Sequence, residues 1–236
     1  MINEGVLKNP DVDMMFGLHV FPDLPEGMIG LREGPAMAST NELAIEITGK
    51  SAHGAMPHRG VDAIVAAAQF ITMLQTIPTR NVDPFERALI TIGRIEGGER
   101  GNVLAEEVNM KGTLRTFSDA VTQQVKARIQ QMLDSLQPAF GAQGSFRVVA
   151  EYPVVLNHPD AVARVRAVLD LEDCTVMEPI MIAEDFAWFQ RHIPAAYWFL
   201  GIKRPGCDAP LHSNQFNLNE ENLLTAVEVY KRLVTR

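Results

Sequence analysis

Between Asn41 and Tyr152 the apolar residues change period in a fixed order, and that order leaves few folds open. Asn41–Thr48 alternates Leu43, Ile45 and Ile47 against Glu42, Ala44 and Glu46, which predicts a strand with one wet face. Gly49–Gly60 is a loop rich in Gly, His and Pro. Val61–Ile77 reads as a helix closed by Pro78. Ala88–Ile95 is rich in β-branched residues, a turn follows at Gly97-Gly98, and Glu107–Phe117 is a further strand. Ser118 is placed as an N-cap, and Val121, Val125, Ile129, Met132 and Leu136 recur every three or four residues in a helix running to about Phe140. Gly141 and Gly144 stop it, and Ser145–Glu151 is a last strand. The order β-α-β-β-α-β is the split βαβ, ferredoxin-like pattern.

The flanks have a different character. Met1–Leu7 reads as the tail of a helix, Asp13–Val20 as a buried strand, and Phe21–Pro35 as a loop with turns. After Pro153, a helix over Asp160–Leu169 and a loop leading into a short helix over Met181–Phe189 are expected. An apolar strand over Ala195–Leu200, a loop over Lys203–Asn214 and a final helix over Glu220–Leu233 follow. Neither flank forms a domain alone. Residues 1–37 and 153–236 are therefore assigned to one α/β domain, with residues 38–152 inserted as the α+β ferredoxin-like unit.

The net charge of −8 argues against nucleic acid or an anionic membrane as partner. No stretch approaches the roughly 18 continuous apolar residues of a membrane span. The first residues carry no signal-peptide pattern, and the two cysteines, Cys174 and Cys207, are too few for a disulfide framework. A cytoplasmic location is the expectation.

Chemistry is concentrated in a few settings. His19 closes the apolar run Met14–Leu18, where a strand end meets the ligand-binding crevice of an α/β sheet. It reads either as a metal ligand or as a hydrogen-bonded core histidine. His212, in Pro210–Phe216, is a ligand or an ordinary surface-loop residue. His53 is flanked by small residues in Gly49–His58, which suits either a donor to a developing oxyanion or a plain turn. Glu184 and Asp185 are adjacent carboxylates, with Asp185 readable as a helix cap. Arg115, near a strand end, can clamp a substrate carboxylate or form an edge-strand salt bridge.

Taken in order, FGLHV around His19, the GK-xx-H-xxx-PH stretch around His53 and His58, Asn102-Val103, GTLRTF around Arg115, AEDF around Glu184 and LHSxxF around His212 resemble the M20 peptidase family. The nearest branch is its subfamily D of N-acyl-amino-acid amidohydrolases and hippurate hydrolases. The resemblance covers essentially the whole chain. It implies an α/β catalytic domain interrupted by a ferredoxin-like lid that pairs two copies as a homodimer. It implies two divalent metal ions (Zn, Mn, Co or Ni), with His19 and His212 as ligands. It implies that His53 reaches the reacting carbonyl from the partner subunit. Asn102 and Arg115 would line the carboxylate end of an N-acyl amino acid, with Glu184 beside the site.

Two family segments, of Cys-Gly-His-Asp and Pro-Ala-Glu-Glu type, do not occur in the 236 residues, and are expected upstream of Met1. They supply the other ligands and the general base. In the complete enzyme the metals make hydroxide available from a bridging water, and the glutamate moves its proton to the leaving amine. The isolated chain, reduced to a catalytic-domain remnant, is expected to be inactive and to bind no metal pair. The alternatives are a non-catalytic dimerisation or small-molecule-binding module, and half of a split enzyme. Ser51 and Ala105 stand where the family usually has glycine and proline.

Overall fold

A computed structural model describes residues 1–207 and 209–235. The chain divides into two units. Unit 1 comprises Met1–Met37, Val155–Ile180 and Glu184–Arg236, and unit 2 comprises Ala38–Val154 with Met181–Ala183.

Unit 1 is held by a sheet of four strands. These are β1 (Met15–Pro25), β2 (Ile29–Leu31), β9 (Cys174–Val176) and β10 (Ala195–Lys203), in the order β1-β10-β2-β9. β1 and β10 run parallel, with His19 opposite Phe199. β10 is buried from Ala195 to Ile202, and so reads as an unbroken apolar run. Ala196, Trp198 and Leu200 share one core with Ala161, Val162 and Val165 of α5 (Pro159–Arg166) and Ala226, Val229 and Leu233 of α7 (Leu223–Thr235). Ala195, Tyr197 and Phe199 pack into a second core with Phe186 and with Ala187 of α6 (Ala187–Gln190). Gly201 admits no side chain, because a Cβ there would lie 1.9 Å from the Pro25 carbonyl oxygen. A separate antiparallel pair joins β3 (Gly34–Met37) to β8 (Val155–Asn157).

Unit 2 follows the order β4 (Thr40–Thr48), α1 (Ala63–Leu74), β5 (Ala88–Gly97), β6 (Glu107–Thr116), α3 (Asp119–Asp134), β7 (Gln143–Tyr152). Short helices α2 (Ile77–Arg80) and α4 (Leu136–Phe140) follow α1 and α3. The strands form one antiparallel sheet in the order β5-β6-β4-β7. Leu43, Ile45 and Ile47 of β4, with Met110 and Leu114 of β6, meet Ala63, Ala66, Ala67, Phe70 and Leu74 of α1 and Val125, Ile129 and Leu133 of α3 in a single core. Glu42, Glu46, Lys111, Arg115 and Arg147 lie on the opposite, open face.

Local capping explains where the helices begin. Asp62 caps α1, its carboxylate accepting from the backbone N–H of Ile64 at 3.0 Å and of Val65 at 3.2 Å. Replacing Asp62 with Ala should cost about 1 kcal/mol, read as a lower urea midpoint at constant slope. An unchanged midpoint would mean the cap does not hold the helix.

Several expectations are corrected. Met1–Leu7 holds only a single tight turn at Ile2–Glu4. The segment Phe21–Pro35 is not a loop throughout: β1 runs to Pro25, and β2 and the start of β3 lie within it. β8 and β9 were not anticipated. The helix from Val61 ends at Leu74, and Pro78 sits in the first turn of α2. The helix expected from Ser118 to Phe140 breaks between α3 and α4. Among the described residues, no helix is long and apolar enough to cross a membrane.

Candidate functional site

In unit 2 the loop carrying His53 is stitched to the turn carrying Asn102. His53 bridges Val103, the Leu104 N–H donates to the Ala52 carbonyl at 2.9 Å, and the Gly54 N–H donates to the Asn102 carbonyl at 2.8 Å. Gly54 suits this close approach, since a Cβ would lie 3.1 Å from that same carbonyl oxygen and crowd it. The Ala55 N–H donates to Nδ1 of His53 at 3.1 Å. In the neutral ring Nδ1 is therefore the acceptor, and the proton sits on Nε2. His53 is exposed and presents Nε2–H as a donor. The Asn102 side chain is exposed in the facing turn.

Arg115 stands on the open face of β6, half-buried, and donates through Nη1 to the Met181 carbonyl at 2.9 Å. That carbonyl belongs to the three residues, Met181–Ala183, that join unit 2 from far along the chain. Among the described residues the remaining guanidinium N–H groups have no partner. The strand end beside Arg115 is pinned by a buried hydroxyl cluster of Ser39, Thr116 and Thr122. An edge-strand salt bridge, the plain alternative for Arg115, is not what the side chain makes.

In unit 1 His19 lies in the middle of β1 rather than at a strand end, because pairing with β10 continues beyond it to Pro25. Its Nδ1 is 2.7 Å from the Val20 carbonyl. A carbonyl only accepts, so Nδ1 carries the proton and Nε2 keeps a free lone pair, the tautomer a metal ligand needs. His212 is exposed, at φ 62, in the left-handed region that non-glycine residues enter sparingly. Among the described residues no group of three or more His, Cys, Asp or Glu is gathered closely enough to hold a metal ion. Two imidazoles do not fit a divalent pair by themselves.

Glu184 is half-buried and has both carboxylate oxygens engaged. One accepts the Asp185 N–H at 3.1 Å and the other the Tyr197 hydroxyl at 2.9 Å. Asp185 does not cap α6; the residue before that helix is Phe186, with no side-chain cap. Tyr197 was not singled out from the sequence, because its position in an apolar strand reads as core alone. Burial, reinforced by the adjacent Glu184 carboxylate, pushes its phenol far above the ordinary tyrosine range.

This has a pH consequence. A phenol whose folded pKa is raised favours folding fully below its unfolded pKa near 10, and that contribution is lost as pH rises from there towards the folded pKa. Stability should therefore fall as pH rises past about 10, and Tyr197→Phe should flatten that fall. The same variant should cost about 1.5–3 kcal/mol at neutral pH, as for a hydrogen bond to a charged acceptor. Denaturant melts of both proteins at a series of pH values check this; parallel pH profiles would contradict it.

The comparisons with known proteins agree with one another. The chain is 37% identical over 232 residues to the N-acetyldiaminopimelate deacetylase of Bacillus licheniformis, covering 97% of this chain and 61% of that protein. It is 35% identical over 228 residues to the N-acetyl-L-cysteine deacetylase of Bacillus subtilis, covering 96% of this chain and 54% of that one. Among solved structures it is similar to the Bacillus subtilis YXEP protein, described as a dinuclear metal binding peptidase from the M20 family. The TM-score is 0.81 at 30% identity, over 98% of this chain and 58% of that one. The chain thus spans less than two thirds of the length of these relatives. The family model for peptidase family M20/M25/M40 matches residues 1–236, and the chain belongs to that family.

Proposed function

We propose that this chain serves the hydrolysis of the amide bond of N-acyl amino acids, in the amidohydrolase branch of its family. The observation that carries the reading is the His53 loop, where a backbone N–H holds Nδ1 and leaves Nε2–H as an exposed donor beside Asn102. Such a donor suits a carbonyl oxygen as it gains charge. The free arm of Arg115 takes the substrate carboxylate, for which a planar fork is matched. Asn102 lines the same end of the substrate. Glu184, held in place by Tyr197, is assigned in this reading to the substrate-binding residues. The named relatives act on N-acetylated amino acids, which supports this substrate class.

His19 and His212 are assigned as two donors of a two-metal centre. The description of the YXEP protein supports such a centre at the level of the family. In this reading the other donors and the general base come from segments of Cys-Gly-His-Asp and Pro-Ala-Glu-Glu type, which do not occur in the 236 residues, and the activity is that of a protein that supplies them. Residues 1–37 and 153–236 form the catalytic α/β domain in this reading. Residues 38–152 form a ferredoxin-like lid that pairs two copies. The strand order β5-β6-β4-β7 supports the lid assignment, and the edge strands β5 and β7 each have one side unpaired among the described residues.

The test is release of free amino acid from N-acetyl amino acids with Zn, Mn, Co or Ni supplied. The 236-residue chain alone should show no turnover. The same chain joined to a segment bearing the Cys-Gly-His-Asp and Pro-Ala-Glu-Glu motifs should hydrolyse the substrate. Turnover by the isolated chain would overturn the assignment of donors. A completed protein inert on acetyl, benzoyl and indole-acetyl amino acids alike would overturn the activity.

A further inference from the structure

The open face of the unit 2 sheet carries a row of cations set by its register. Arg94 is opposite Lys111, Lys111 is opposite Ala44, and Ala44 is opposite Arg147. These four positions cross β5, β6, β4 and β7 in one line. With strands spaced about 4.8 Å apart, Lys111 and Arg147 stand about 10 Å from each other across the small Ala44.

Two β-bulges frame this row, one on each edge strand. In β5, Ile92 is opposite Gly112 but Arg94, not Gly93, is opposite Lys111. In a regular strand Gly93 would be opposite Lys111 and Arg94 would turn to the helix-covered face; the bulge brings Arg94 out beside Lys111. In β7, Val148 is opposite Leu43 and Ala150 is opposite Glu42, so Val149 is the extra residue. Bulges bend the strands that carry them. Here they border a depression of about 540 Å³ whose walls include Arg94, Lys111, Arg147, Thr91, Thr113 and Glu42. That volume is within the range of small-molecule sites.

The charge is only partly compensated by direct ion pairs. Arg94 is paired with Glu96. Among the described residues, Lys111 and Arg147 have no acidic partner. Glu42 lines the depression with the three cations, and Glu46 and Glu96 line the adjoining hollow that shares Arg94, Lys111 and Arg147. Lys111 and Arg147 are therefore the two cations of the row left to meet an anion.

We propose that this depression is a binding site for a small dianion. Its two anionic groups are held by Lys111 and Arg147. Arginine and lysine recognise phosphate and carboxylate oxygens alike, so the shared chemistry is two anionic groups about one sheet-strand pair apart. The site does not depend on the amide-hydrolysis reading, since no residue of the row belongs to that machinery.

The test is calorimetric titration of the 236-residue chain at low ionic strength with two probes, inorganic pyrophosphate and succinate. Saturable binding of one probe per chain is expected. Lys111→Ala and Arg147→Ala should each weaken it at least tenfold. Ala44→Glu, which puts a carboxylate between the cations, should abolish it. All three positions are solvent-facing, and unchanged far-UV circular dichroism keeps loss of fold apart from loss of binding. Binding of pyrophosphate alone identifies a phosphorylated ligand, and binding of succinate a dicarboxylate. Either supports the site when the variants weaken it. No saturable binding of either probe, or binding that the three substitutions leave unaltered, would overturn the proposal.

Discussion

Replacing Phe70 with alanine is expected to destabilise unit 2 by about 3–5 kcal/mol. Phe70 is fully buried on the face of α1 that also buries Ala63, Ala66, Ala67 and Leu74. Its ring fills the space between that helix and a sheet whose inner face is Leu43, Ile45, Ile47, Met110 and Leu114. The neighbouring alanines are too small to collapse into the void, so a cavity term adds to the lost transfer energy. Domains of this kind have total stabilities of about 5–15 kcal/mol, so the loss is a large share. Urea unfolding should show a much lower midpoint at an unchanged slope. Ile64 on the same helix is 48% exposed, and Ile64→Ala should stay within about 0.5 kcal/mol of wild type. Equal effects at the two positions would refute the packing described for α1.

In the completed protein, His53→Ala should lower kcat about 10²–10³-fold with little change in KM. The prediction rests on the proposed function. The Ala55 N–H occupies Nδ1, so the proton on Nε2 is the one the ring has to give. A donor aimed at charge that develops only in the transition state affects the chemical step more than ground-state binding. Because His53 is exposed, its loss should leave the unfolding midpoint nearly unchanged. His53→Gln, which keeps a side-chain N–H, should recover part of the rate. Steady-state kinetics on an N-acetyl amino acid check both variants; a kcat that His53→Ala leaves intact removes the histidine from the reaction.

The sequence is most readable where one periodicity persists for two turns of helix or four residues of strand. Leu43-Ile45-Ile47 and Val121-Val125-Ile129-Met132 announce β4 and α3 because each buries a single continuous face. Helix ends are harder, and two of the misplaced ones share a cause. Proline in a helix clashes with the carbonyl four residues before it. Pro78 therefore ends α1 at Leu74, and Pro138 ends α3 at Asp134; each proline then sits in the short helix that follows. The strands that were missed, Ile29–Leu31, Gly34–Met37, Val155–Asn157 and Cys174–Val176, are three or four residues long. Little periodicity fits in so few residues, and their pairing is dictated by distant partners such as Gly30 with Thr175 and Phe199.

The candidate site was legible as residue types in order, and much less as chemistry. No pattern in the sequence shows that Nδ1 of His19 is bonded to the next carbonyl, or that Ala55 sets the tautomer of His53. Tyr197 escaped notice because it alternates with residues of the apolar core, and only its hydroxyl betrays a second role. The partner of Arg115 lies 66 residues away, at Met181, beyond the reach of any local signal.

The parallel pairing of β1 with β10 also has a consequence for how the chain comes into being. Met15 is registered with Ala195, so the central strand of unit 1 is made long after its neighbour. At synthesis rates of about 5–20 residues per second, β1 waits on the order of 10–40 s for that strand. All of Ala38–Val154 emerges in the interval and can fold on the ribosome first. Until Ala195 arrives, the apolar stretch Met14–Leu18 lacks the strand that pairs with it among the described residues, and that interval is when a chaperone has most to protect.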